Sequence, residues 1–160
     1  MTYSIQGLDP APFAPLFALS DTDLASRGAV RVVATSDRGF PCRVSLEDAR
    51  EGETLVLFNY LSHDVATPYR NTYAIYVRDG AVSPAPYIDS LPPILASRQL
   101  SLRGFGVDGM KIVAHLSAPN QHDATIRALF ADPRIAYILA HSAAYGCFAA
   151  RIERFGELAQ

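Results

Sequence analysis

Hydrophobic and polar positions along the chain separate strands from helices. Leu55 to Leu61 is apolar on both alternating sets, Leu55/Leu57/Leu61 and Val56/Phe58/Tyr60, which predicts a central strand covered on both faces. Tyr73 to Arg78 is its expected neighbour, and the stretch Ser62 to Asn71 between them is too long for a tight hairpin. Ala29 to Thr35 is rich in β-branched residues and closes on Ser36-Asp37-Arg38-Gly39, a strand and turn. Leu100 to Val107 and Met110 to Leu116 flank Asp108-Gly109, the strongest short-range hairpin signal in the chain. A two-residue turn there pairs Val107 with Met110, Phe105 with Ile112 and Arg103 with Ala114. It also puts Gly104 and Gly106 on one face with Lys111, Val113 and His115, leaving room for close approach of backbone or ligand.

Helical signals are short. Ser20-Asp21-Thr22-Asp23 reads as a capped start of a peripheral helix ending at Gly28, and Ser45 can cap a single turn over Leu46 to Ala49. Ala81 to Pro93 is Pro-rich and irregular, with a helical turn expected over Ile94 to Arg98. Asn120-Gln121-His122-Asp123 opens a helix whose Ile126, Leu129 and Phe130 form one apolar stripe, stopped by Asp132-Pro133. His122, in the first turn, is expected at the solvent. Ile135 to Ser142 and Gly146 to Phe155 form a terminal hairpin, so Met110 to Leu116, the helix and Ile135 to Ser142 make one β-α-β step. The fold class is α+β: one domain over residues 1–160, mostly antiparallel sheet with a few short helices.

Composition narrows the function classes. Fourteen Lys+Arg against 16 Asp+Glu give a net charge of -2, without the positive field that nucleic-acid binding needs. No apolar run approaches the roughly 20 residues of a membrane span. The start, Met1 to Gly7, has no basic and apolar leader, so a cytoplasmic location is expected. Two cysteines, Cys42 and Cys147, do not make a disulfide framework, and both thiols are expected reduced. Lys111 is the single lysine beside 13 arginines, a bias read as coding preference rather than as selection for anion binding.

From Gly39-Phe40-Pro41-Cys42-Arg43 onward the sequence is specific. With Arg27-Gly28-Ala29, Pro68-Tyr69-Arg70, Ile75-Tyr76-Val77-Arg78, Leu102-Arg103, Asp108-Gly109-Met110, Ala131-Asp132-Pro133-Arg134 and Gly146-Cys147-Phe148-Ala149, it resembles a bacterial family known as domain of unknown function 1203. The resemblance runs over nearly the whole chain. It picks out Cys42, Arg43, Tyr69, Arg70, Arg78, Asp108, Gly109, His141, Gly146 and Cys147, and it implies no reaction.

Two chemistries stand out. A cleft formed by the Phe40 to Arg43 loop, the His63 to Arg70 loop and the terminal hairpin could bind a small anionic metabolite. Arg43 and Arg70 would be its main ligands, with Arg78, Arg103, Tyr69 and Cys147 contributing. The alternative is a thiol-dependent enzyme with Cys42 as nucleophile, activated by Arg43 and a helix N-terminus, and His63 or His141 as base. An odd loop of Ala143 to Tyr145 sets His141 across from Cys147, and an even one sets Ser142 there. A third possibility is a protein-interaction module. No metal or cofactor is expected, because Cys42, Cys147, His63, His115 and His141 lack ligand spacing for zinc.

Overall fold

The computed structural model describes residues 1–156 and is an α+β fold with every strand pairing antiparallel. Its strands are β1 (Thr2–Gln6), β2 (Val30–Val33), β3 (Thr54–His63), β4 (Asn71–Arg78), β5 (Tyr87–Ile88), β6 (Leu100–Phe105), β7 (Lys111–Ser117), β8 (Tyr137–Ser142) and β9 (Phe148–Phe155). Its helices are α1 (Asp21–Ser26), α2 (Pro93–Ala96) and α3 (His122–Phe130). A six-stranded sheet runs β5-β1-β9-β8-β6-β7, and a three-stranded sheet runs β2-β3-β4.

Period-two alternation divides the large sheet into two faces. Leu102, Ile138, Ala140, Ile152 and Tyr3 face the helices, where they bury Ile94 and Leu95 of α2 and Ile126, Leu129 and Phe130 of α3. Phe105, Tyr137, Leu139 and Phe148 face the small sheet and pack on Ile75 and Val77 of β4, with Cys42, Val44 and Phe13 beside them. Each fully buried aliphatic here contributes about 1.5–3 kcal/mol of transfer free energy. β3 is the central strand of its sheet, as its two-sided apolar pattern predicts, and Val56 buries its outer end against Leu24 of α1. Ser20 Oγ accepts from Asp23 N at 3.1 Å, so α1 starts at the expected cap.

Several local expectations fail for identifiable reasons. The 106–109 turn is not a two-residue turn, since Asp108 does not take the positive φ that such a turn requires. Instead Gly109 N bonds Gly106 O at 3.0 Å with Gly109 at φ 78, and Ile112 becomes an extra residue. Arg103 still pairs with Ala114, but Phe105 pairs with Lys111. The space over Gly104 is filled, because a Cβ there would lie 2.8 Å from Ile135 Cδ1. Residues 45–49 form no helix: Leu46 sits at φ 58 and Pro41 bridges Asp48. His122 is fully buried, donating from Nε2 to Arg98 O and accepting from Ser117 Oγ at 2.7 Å. Between β7 and β8, which α3 connects, lies β6, so the two strands are not neighbours as in a simple β-α-β unit. The amino-terminal strand β1, with Tyr3 and Ile5 wholly buried, was not apparent in the hydrophobic pattern.

Candidate functional site

Three register irregularities decide which side chains enter the space between the sheets. In the β3–β4 pair Leu61 faces Thr72 and His63 faces Asn71, so Ser62 is the extra residue and His63 turns to the inner face shared with Phe58 and Tyr60. In β6–β7 the extra Ile112 brings Lys111 to the level of Phe105 on the inner face. In β8–β9 Ala140 pairs with Ala150 and His141 with Phe148, so Phe148 takes the inward position that Ala149 would hold. Docking of the 64–70 loop on the 106–109 turn completes the arrangement, with Val65 over Gly109 and Thr67 Oγ1 donating to Gly109 O at 3.2 Å.

These elements enclose a small cavity of about 40 Å³ lined by His63, Tyr69, Arg103, Phe105, Lys111 and His141 among others. His63 is saturated. Its Nδ1–H donates to Tyr69 O at 2.8 Å, and its Nε2 accepts from the Tyr137 hydroxyl at 2.7 Å. Its ring lies 4.4 Å from that of Phe105, which stacks on Tyr137 at 5.5 Å. His141, 2% exposed, donates Nδ1–H to Gly146 O at 3.0 Å and presents its Nε2 lone pair elsewhere. Burial, then the nearby Arg103 charge, lowers its pKa to about 4, so the ring is neutral near neutral pH. Among the described residues Arg103 donates only to neutral groups, Ser101 Oγ at 3.2 Å and Tyr73 OH at 3.3 Å.

A second, larger cavity of about 420 Å³ lies on the other side of the β8–β9 hairpin. Arg43, Arg98, Tyr76 and Cys147 form its polar wall, and Leu57, Ile94 and Ala149 contribute apolar surface. Arg43 reaches it because the 40–44 loop is tied on two sides: Arg43 N donates to Tyr76 O at 3.0 Å, and Leu8 N donates to Arg43 O at 2.9 Å. The side chain is buried, with Nε donating to Phe148 O at 2.7 Å and Nη1 to Pro41 O. Among the described residues no carboxylate pairs with it, and burial lowers its pKa to about 10. Arg98 on the same wall is neutralised by Asp48 at 2.8 and 2.9 Å.

The expected residues are therefore divided. His63, Tyr69, Arg103 and His141 meet in the small cavity, and Arg43 and Cys147 in the large one. Arg70 instead pairs with Asp64 at 2.9 Å on the surface, and Arg78 pairs with Glu53 at 3.3 Å. Cys42 is wholly buried, its Sγ accepting from Arg78 N at 3.3 Å. Neither histidine bonds to it. The even hairpin loop forms, with Ser142 N donating to Cys147 O at 2.9 Å, so Cys147 stands opposite Ser142 rather than His141. Lys111, Arg98, Tyr76 and Tyr137 were not singled out from the sequence, although the solitary lysine was visible in it.

Two facing antiparallel sheets, with an arginine-lined cavity on each side of one hairpin, make up this α+β protein. The chain belongs to the DUF1203 family, described as a protein of unknown function, whose model matches residues 39–154 and thus takes in both cavities. No curated protein and no solved structure matches it. No helix among the described residues is long and apolar enough to cross a membrane.

Proposed function

We propose that the protein binds a small organic anion in the large cavity, with the anion's carboxylate or phosphate on Arg43 and its apolar body against Leu57, Ile94 and Ala149. One observation carries this reading: Arg43 is only 5% exposed at the cavity wall, its guanidinium held by two backbone carbonyls and lacking a carboxylate among the described residues. A buried charge without a counter-ion is costly, and an anionic ligand would supply the missing partner. The volume of about 420 Å³ falls within the ordinary range for small-molecule sites, roughly 300–1,000 Å³. Arg43 and Cys147 of the expected ligand set line this cavity, whereas Arg70 and Arg78 are paired with acids elsewhere. Thiol catalysis at Cys42 has less support, since a wholly buried Sγ cannot meet a substrate without opening of the core.

The test is a thermal-shift series with benzoate, phenyl phosphate and their neutral counterparts benzamide and benzyl alcohol. At about 100 times its dissociation constant a ligand adds about 2.7 kcal/mol, roughly 5–10 °C in Tm at this chain length. The anions should raise Tm and the neutral molecules should not, with the shift abolished in Arg43→Gln. Because that variant also leaves two carbonyls without donors, Ala74→Phe, which fills the cavity from β4, provides a second check. Equal shifts from neutral and anionic molecules, or anion binding retained in both variants, would contradict the proposal.

A further inference from the structure

We propose that the small cavity between the sheets is a second and independent site, for a small oxyanion that carries its own hydroxyl group. Three observations support it together, none of them involving the Arg43 cavity. The first is charge. Among the described residues Arg103 bonds only to the hydroxyls of Ser101 and Tyr73, and Lys111, the solitary lysine, has no ion pair and lies over the Tyr69 ring at 4.8 Å. No carboxylate lines the cavity, so the two cations there have no counter-charge within it.

The second observation is an acceptor without a donor. A carbonyl can only accept, so the contact from His141 Nδ1 to Gly146 O fixes the proton on Nδ1 and leaves the lone pair on Nε2. No described residue donates to that nitrogen, although the side chain is 2% exposed and lines the cavity. His63 cannot fill the role, since both of its nitrogens are already bonded. An occupant with only anionic oxygens would meet the His141 lone pair with its own. One with both an anionic oxygen and an O–H satisfies the two cations and the imidazole at once.

Size is the third. About 40 Å³ holds roughly three water-sized groups at 10–15 Å³ each, which suits hydrogencarbonate with its three oxygens, or the oxygen-bearing end of a phosphate or hydroxy acid whose remainder extends through the open side. The structure arranges this through two separate bulges, Ser62 turning His63 inward and Ile112 turning Lys111 inward, as bulges commonly re-aim side chains at functional sites. Loss of a neutral His141 to protonation is resisted by burial and by the Arg103 charge, which keeps the acceptor available.

The experiment is a long-range proton–nitrogen NMR titration of the histidine side chains with hydrogencarbonate, inorganic phosphate and glycolate, against formate and chloride as anions without a hydroxyl donor. Hydroxyl-bearing anions should move the His141 Nε2 resonance towards that of a hydrogen-bonded nitrogen, and which of the three binds tightest identifies the source. Lys111→Met, an edge-strand change that removes no hydrogen bond, should weaken binding tenfold or more. His141→Asn keeps a donor for Gly146 O but lacks Nε2, and should erase the preference over formate. Binding of formate or chloride as tight as that of the hydroxyl-bearing anions, or no shift at His141 with any of them, overturns the proposal. Neither outcome bears on the Arg43 cavity, whose benzoate shift is measured separately.

Discussion

Burial without a formal partner sets a few side chains apart from the many arginines that are paired on the surface. Arg43, Arg103 and His141 depend on backbone carbonyls or hydroxyls, while Arg70 and Arg127 hold exposed carboxylates and contribute little individually. The folded His141 has a pKa of about 4, below the ordinary value of 6.5, so the unfolded chain binds more protons between those two pH values. Stability is therefore fully present above about pH 6.5 and falls as pH drops towards about 4, by about 3 kcal/mol in all. Urea denaturation across that range should show the decline, and His141→Asn should flatten much of it. A remaining slope of the same sign belongs to His122, whose pKa burial also lowers. The thiols differ as sharply. Cys147 should alkylate in the native protein, whereas Cys42, at zero exposure, should react only on unfolding; equal native rates would contradict the buried position of Cys42.

At the scale of elements, the strands were legible wherever alternation or turn residues mark them, as in Leu55 to Leu61 and the Asp108-Gly109 hairpin. What could not be read was register. A bulge adds one residue and reverses which side chains face inward, and no residue type in Ser62, Ile112 or Ala149 signals it. His63 and Lys111 therefore reach the inner face for reasons absent from the local pattern. The 64–70 loop depends on the same geometry, because it seats on Gly109. A Cβ at Gly109 would lie 2.7 Å from Val65 Cγ1, at a φ of 78 that side chains rarely adopt. Gly109→Ala should accordingly cost about 1–3 kcal/mol and speed amide exchange in the 64–70 loop. Adding Val65→Ala should recover part of the loss; no change in exchange would mean that the loop is held independently of the turn.

For the whole molecule, the α+β class follows from the sequence, but the partition into two facing sheets does not. The contacts that make the Arg43 cavity span the chain: Arg43 donates to Phe148, 105 positions away, and Tyr76 supplies the carbonyl that anchors its backbone. Pattern within a window of ten residues carries no information about such pairings. The same limit explains why Cys42 reads from the sequence as a nucleophile with His63 or His141 as its base. Cys42 packs in the core between the sheets, His63 is held by Tyr69 and Tyr137, and His141 lines a different cavity from Cys147. A weakly negative chain can still gather positive charge at its cavities, with buried Arg43 on one side of the hairpin and half-buried Arg103 with the exposed Lys111 on the other. Anion binding at Arg43 is the central claim, and a crystal grown with para-bromobenzoate tests it most directly through the anomalous signal of bromine. The account predicts bromine in the 420 Å³ cavity, near Leu57 and Ile94, with the carboxylate on the Arg43 guanidinium. Bromine absent from that cavity at saturating ligand, or present with its carboxylate turned away from Arg43, would contradict it.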